Sequence, residues 1–511
     1  MTVSKQKILV ILTTKEYMNN YLYTGALDEI HQKYHVTVVI PETLINFVPK
    51  GNSIAIVSMP DSVFNLYEKN FRLLTDIYRR KFRKKSKSFS YREKKIDSIL
   101  RSYIKEEFNR SIRKLLKSCG DFFSIPSRLF LNTKKTSAQS KLKILNYELK
   151  SFLFSLIRFM RTQLGLLKRM SQSLLRKILL RLLTTFIISD IAQIAFGNRV
   201  KMPVPLYNFL TSQRFDLVAL PSAAFEPIVI HLAKTKTDLG FKFLMLTDNW
   251  DNLSSKTVLW LQPDAIATWG EQSSQHAVDI QGFPREKVHE IGTARFSNHI
   301  ISREVVSTSP EVGDYVLFVG TFLNFNEYEC LRILNEEIST KREIYGELKI
   351  LYRPHPFTPP SNNLIAQNLE TVLMDQSIIG YKASTEVTAI DFEDTLKIQL
   401  NSRFVIGGLT SMLIESSILG KNFLALVHEE VGNFTSPHIV RSSHEHFVGI
   451  EALPNLHFVE NLADLASQFE EVFHKKNLPQ EEIDRQLSYF YDLKPLTYSQ
   501  KLGKLVEEIL L

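Results

Sequence analysis

Leu348-Lys349-Ile350-Leu351-Tyr352-Arg353-Pro354-His355-Pro356 reads as a short buried strand that stops at a basic, proline-locked tip. Pro354 and Pro356 fix their own φ and push Arg353 and His355 into extended conformations, so the chain cannot run on as a helix. A guanidinium and an imidazole are therefore held at the carboxyl end of a strand, where open α/β sheets place their ligands. The pair predicts an anion site. An exposed turn with a merely polar histidine is the plain alternative that the tetrapeptide by itself leaves open.

On either side of this stretch the chain alternates strand and helix. Residues 315–320, ending at Gly320, form an apolar strand, and residues 326–345 have helical character. After a variable region come a helix over 392–400, strand 404–407, helix 411–419 and strand 423–427. This rhythm predicts a parallel, doubly wound sheet. One strand runs into Gly407-Gly408-Leu409-Thr410-Ser411-Met412-Leu413-Ile414-Glu415-Ser416. Glycine lets a ligand come close to the backbone. Thr410 or Ser411 suits the N-cap, and the free N–H groups of a first helical turn favour a phosphate. Glu415, about one turn later, is placed to accept hydrogen bonds from ribose hydroxyls. An ordinary capped helix packed on a sheet through glycine would show the same pattern. Together with the Arg-Pro-His-Pro tip, the loop points to a nucleotide mono- or diphosphate site that includes Gly320, Arg353, His355, Gly408, Thr410, Ser411 and Glu415.

A second α/β series occupies the amino-terminal side. Residues 7–12, 35–40 and 53–59 read as strands, with a helix over 19–32; the series resumes with strands 215–220, 241–246, 264–270 and 288–292. The loop Thr247-Asp248-Asn249-Trp250-Asp251-Asn252-Leu253-Ser254-Ser255-Lys256 concentrates carboxylates, amides, hydroxyls and an indole. Asp248 and Asp251 are candidate general bases and Trp250 a candidate sugar-stacking surface, although Asp and Asn also favour turns and caps for purely structural reasons. Lys256 and Arg295 are further cleft candidates. The expected organisation is α/β throughout: two Rossmann-like domains facing across a cleft, with a basic helical insertion in the first. The boundaries are 1–60 and 201–300 for the first domain, 61–200 for the insertion, 301–313 for a linker, 314–475 for the second domain and 476–511 for a helical tail.

The insertion carries its own message. Residues 61–190 hold 31 Lys and Arg against 10 Asp and Glu, a balance of +21, whereas the remaining residues carry −12. The second half, 152–188, has no acidic residue, and Leu153, Ile157, Met160, Leu164, Leu167, Leu174 and Ile178 recur at helical spacing with Lys and Arg between them. Such a basic amphipathic stretch suits an anionic lipid interface, and a helical hairpin with a solvated basic face is the alternative. Nucleic acid is not expected, because the patch is leucine-rich and lacks a recognised binding motif. No uncharged apolar run of about 18 residues is present, so a spanning helix is not expected. The two cysteines, Cys119 and Cys330, lie far apart without metal-ligand spacing, which fits a reducing compartment and neither a disulfide framework nor a zinc site.

Arg353-Pro354-His355-Pro356, followed some fifty residues later by Gly408-Leu409-Thr410-Ser411-Met412 and Glu415, resembles the second domain of GT-B-fold glycosyltransferases, above all bacterial capsule and surface-polysaccharide enzymes. The His-Pro and Ser/Thr pairs look like the two nucleotide-binding motifs of bacterial sialyltransferases and of glycerophosphotransferases that make wall polymers. The resemblance implies that His355 contacts the donor phosphate and neutralises the departing nucleotide, and that Thr410 and Ser411 hold the phosphate. It covers roughly residues 215–427 and not the basic insertion. An Asp/Glu-Asp/Glu-Gly base motif is lacking, which speaks against a CMP-sugar donor.

The expectation is a metal-independent glycosyltransferase with no cofactor beyond its nucleotide-sugar donor. It would act on a surface-polysaccharide or lipid-linked glycan acceptor at the inner face of the cytoplasmic membrane, docked through residues 61–190. A non-hydrolysing nucleotide-sugar epimerase, a CDP-alditol phosphotransferase and a catalytically inactive membrane-surface scaffold are the alternatives.

Overall fold

The computed structural model describes residues 5–64, 69–82, 84–91, 200–223, 226–256, 258–306, 314–322, 325–355, 369–375, 392–433 and 435–511. The chain divides into two units, Met1–Phe89 with Gln193–Leu511, and Ser90–Ala192. The architecture below is that of the first. The amphipathic stretch 152–188 lies outside the described residues.

Seven parallel strands form the first sheet: β1 (Lys7–Ile11), β2 (His35–Pro41), β3 (Ala55–Met59), β4 (Leu217–Ser222), β5 (Lys242–Thr247), β6 (Ala265–Thr268) and β7 (Val288–Glu290), in the order β3-β2-β1-β4-β5-β6-β7. Six more form the second: β8 (Tyr315–Val319), β9 (Lys349–Arg353), β10 (Val372–Met374), β11 (Val405–Gly407), β12 (Phe423–Leu426) and β13 (Leu456–Val459), in the order β10-β9-β8-β11-β12-β13. Each sheet is therefore doubly wound, as expected, and reverses direction beside its first strand, between β1 and β4 and between β8 and β11.

The near-continuous apolar runs follow from burial on two faces. Leu9 and Ile11 point into one core with Val218, Phe243 and Ile266, while Ile8, Val10 and Leu12 point into another with Val38 and Leu244. In the second sheet Leu317 and Val319 face one core, and Val316 and Phe318 the other.

Several elements differ from the sequence reading. The helix expected over 19–32 is two, Lys15–Leu22 and Asp28–Lys33. It begins earlier because the Thr14 side chain accepts from the Tyr17 N–H, and it breaks at Gly25, whose φ of 69° ordinary residues avoid. The linker segment 301–313 starts as helix, since Ser297–Val306 is helical. Strands β10 and β13 went unforeseen, being only three and four residues long and partly solvated. Val63 and Phe64, past the expected start of the insertion, still pack into the first sheet's core. The last helix, Tyr498–Leu510, leaves the second half and lays Tyr498, Leu502, Leu505 and Val506 against the first sheet.

A shared core joins the halves. Trp250, Trp269 and Phe296 of the first pack with Leu409, Leu413, Phe447 and Phe490 of the second. Burying a large apolar side chain contributes roughly 1.5–3 kcal/mol, so the seam is a joint and not a sliding surface. No helix among the described residues is long and apolar enough to cross a membrane.

Candidate functional site

The carboxyl ends of β8, β9 and β11 meet where the second sheet reverses. The Gly320 N–H donates to the Arg353 carbonyl at 2.8 Å. A Cβ on Gly320 would lie 2.7 Å from the His355 backbone nitrogen, and one on Gly408 would lie 2.7 Å from Cγ2 of Thr321. The space a Cβ would fill at these glycines is taken by the protein's own loops, which close tightly on one another.

Arg353 also departs from expectation. Its guanidinium pairs with Asp375 and donates to Thr395 Oγ1 at 2.7 Å, and the residue is buried. Its charge is thus met within the protein, and Arg353 braces the tip. His355 sits beside Phe322, ring centroids 5.6 Å apart, and Phe322 is 64% exposed. Burial pushes the His355 imidazole down to about 4, so near neutrality the ring is uncharged. Beneath the tip, Glu327 accepts from the Thr321 N–H at 2.9 Å and from the Tyr352 hydroxyl at 2.6 Å; burial raises its pKa despite these bonds.

In the hydroxyl loop the two candidates divide the work. Thr410 Oγ1 accepts from the Met412 N–H at 3.1 Å and so caps the helix Met412–Ile418. Ser411, at the N-cap position, makes no capping bond; its hydroxyl donates to Glu415 Oε1 at 3.2 Å and accepts from Arg295 Nη2 at 3.2 Å. Glu415 is buried, with Arg295 Nη2 at 2.7 Å from Oε1 and His299 Nε2 at 3.7 Å from Oε2. Burial alone would raise this carboxyl, but Arg295, His299 and Ser411 outweigh it and hold it at about 2. Glu415, expected to accept from ribose hydroxyls, is paired here with a side chain from the other half.

The loop after β5 sorts its residues similarly. Trp250 is 3% exposed, its ring edge-on to His446 at 5.1 Å and to Phe447 at 5.5 Å. That removes it as a sugar-stacking surface. Asp251 pairs with Lys256 at 3.1 Å. Asp248 has its pKa raised well above the carboxylate range by burial, with Glu16 adding to the effect and Arg295 and Lys256 opposing it. Asp248 thus has a raised affinity for a proton. The structure brings His355, Gly320, Gly408, Thr410 and Ser411 to one sheet end, links Ser411 and Glu415 to Arg295, and turns Arg353 and Trp250 away.

Sequence reasoning passed over Glu327 and the pair His428–Glu430. His428 follows β12 and is buried, its Nε2 3.6 Å from Glu430 Oε1, while Glu430 accepts from the Asn326 N–H at 2.6 Å. A polar residue directly after a predicted strand was the available signal for His428; Glu327, inside a helix, offered none. Among the described residues no group of three or more His, Cys, Asp or Glu is placed to hold a metal ion.

No family model and no curated protein matches the chain. Solved structures are similar at a distance. A putative UDP-N-acetylglucosamine 2-epimerase from Listeria monocytogenes is 10% identical over 99% of this chain and 96% of its own, with a TM-score of 0.48. CalG4, the calicheamicin glycosyltransferase, is 11% identical over 99% of both chains, with a TM-score of 0.43. A variant of the wall teichoic acid polymerase TagF is 14% identical over 58% of this chain and 73% of its own, with a TM-score of 0.34. None is similar enough to lend its activity to this chain.

Proposed function

We propose that this protein is a glycosyltransferase that moves a sugar from a nucleotide-activated donor to a surface-polysaccharide or lipid-linked glycan acceptor. One observation carries the reading. The second sheet reverses between β8 and β11, the place where open α/β sheets bind ligands, and there the imidazole of His355 and the hydroxyls of Thr410 and Ser411 stand at neighbouring strand ends. Neutral hydroxyl and imidazole donors suit a nucleotide phosphate that gains negative charge as the sugar departs. A phosphate beside His355 favours the protonated ring by Coulomb attraction, so the histidine neutralises the leaving group as the bond breaks.

From the first half, Asp248 supplies a carboxylate whose raised proton affinity suits removal of the acceptor hydroxyl's proton. Asp251 is already paired with Lys256 at 3.1 Å. The +21 balance of residues 61–190 supports docking at an anionic membrane surface, where a lipid-linked acceptor would lie.

The experiment is a thermal-stability screen of the full chain with UDP, CDP, CMP and GDP, since a ligand that binds the native state raises its apparent stability by mass action. One nucleotide should raise the melting temperature. His355→Ala should then lower transfer about 100-fold with an unchanged unligated melting temperature. Undiminished transfer by that variant would sink the mechanism. Release of an epimerised sugar nucleotide without acceptor would select an epimerase instead, and unchanged liposome binding after deletion of residues 92–190 would remove the membrane role.

A further inference from the structure

Glu415 poses a problem for any anion at the second sheet's end. It lies one turn past Ser411, is buried, and keeps its charge, with a pKa of about 2. A buried carboxylate in that position repels an approaching phosphate. It also holds the one proton that Ser411 has to give, since the Ser411 hydroxyl donates to Glu415 Oε1 at 3.2 Å. A phosphate needs that proton for itself.

The counter-charge comes from the opposite half of the molecule. Arg295 lies in the single turn Ala294–Phe296 after β7, and one nitrogen of its guanidinium reaches Glu415 Oε1 at 2.7 Å and Ser411 Oγ at 3.2 Å. Phe296, buried beside it and edge-on to Trp269 at 4.9 Å, fixes the turn that carries it. The one nitrogen thus holds hydroxyl and carboxylate together. We propose that Arg295 is a positioning residue of the donor site: by neutralising Glu415 it admits a nucleotide phosphate to the loop 408–411 and frees the Ser411 hydroxyl proton for it. When the phosphate arrives, the Ser411 O–H turns from Glu415 to a phosphate oxygen, and Arg295, with His299 Nε2 at 3.7 Å on the other oxygen, keeps the carboxylate satisfied. The inference rests on the donor-site reading above and adds a residue from the first half to it.

The two carboxylate readings predict opposite signs. A ribose ligand at position 415 would make Glu415→Gln bind nucleotide more weakly. A neutralised obstacle makes the same variant bind at least as tightly, because the anion nearest the guanidinium is gone, with only the more weakly acting Glu16 and Asp248 left to it. The test is calorimetric titration of the full chain with UDP, CDP and GDP, following whichever binds the wild type. Arg295→Gln should weaken binding about tenfold or more, the scale of a lost charge-assisted interaction. Glu415→Gln should tighten it, and the double variant should return to within about threefold of wild type. Thermal unfolding of each variant runs alongside; if Arg295→Gln alone fails to fold, the comparison of Glu415→Gln with the double variant decides, since neither contains an unpaired buried carboxylate. Wild-type binding that Arg295→Gln leaves unchanged, or that Glu415→Gln weakens, overturns the role given to Arg295 while the donor site stands. Absence of binding by the wild type to these three nucleotides and to CMP overturns the donor site and this inference together.

Discussion

The tip at residues 353–355 and the loop at residues 247–256 hold similar chemistry in sequence: a strand end, then a cluster of charged, aromatic and hydrogen-bonding side chains. They differ in what satisfies those groups. The tip's strong charge, Arg353, is answered by a neighbour in the same sheet, through Asp375 after β10. The loop's large aromatic, Trp250, is answered across the seam, by His446 and Phe447 of the other half. Each cluster thereby turns its largest functional-looking residue into a support and leaves a titratable one at the sheet end, His355 in one and Asp248 in the other. The lesson is that charge or aromaticity at a strand end marks a site only once its partners are known.

The contrast can be broken most sharply at Trp250. If it is a support, Trp250→Ala removes about 3–5 kcal/mol of stability, read by denaturant unfolding, and leaves nucleotide affinity intact. Retained stability with a raised acceptor KM would restore it as a stacking surface.

Next come the carboxyls: burial raises both, but only at Glu415 do charged and hydrogen-bonding partners outweigh it. Glu415 is depressed from an ordinary 4.5 to about 2. A depressed carboxyl contributes stability that is present above its unfolded value and is lost as pH falls through the folded one. The wild type should therefore lose about 3 kcal/mol between roughly pH 5 and pH 2 from this group, a limb that Glu415→Gln flattens. Asp248 is raised, so its sign reverses: it favours the fold at low pH and costs stability as pH climbs above its ordinary value. Asp248→Asn should accordingly gain about 1 kcal/mol at pH 7 while abolishing most transfer, the stability–activity exchange expected of a buried catalytic acid or base. Equal or lower stability at pH 7 would mean that Asp248 is a structural anion after all.

The smallest expected effect belongs to Asp251. Its partner Lys256 is more than a third exposed, and water screens such pairs to less than about 1 kcal/mol. Asp251→Asn should change stability by no more than that and leave transfer within about threefold. A larger loss of transfer would move the general base from Asp248 to Asp251.

The legibility of the fold and that of the site diverge for physical reasons. Apolar runs such as Ile8–Ile11 or Val316–Val319, separated by helical segments, can bury both faces only as parallel strands under helices, so both sheets could be read from pattern. β10 and β13 escaped because a short, half-solvated strand lacks that pattern. At the site, Thr410 and Ser411 could be anticipated at a helix start, since capping is a local matter of a few residues. The burial of Trp250 and the pairing of Arg353 could not, because their partners lie 22 residues away in one case and nearly two hundred in the other.

The sequence by itself determined the two α/β series, the sheet end that gathers His355 with Thr410 and Ser411, and the concentration of positive charge in residues 61–190. These follow from local geometry and composition: proline fixes φ, apolar runs seek two-sided burial, and hydroxyls cap helices. Only the tertiary structure decided which charges are spent and on what. Arg295 meets Glu415 because the turn after β7 and the helix after β11 come together at the seam, a juxtaposition 120 residues apart in the chain. Electrostatic partnership depends on distance through space, and local pattern carries no record of it.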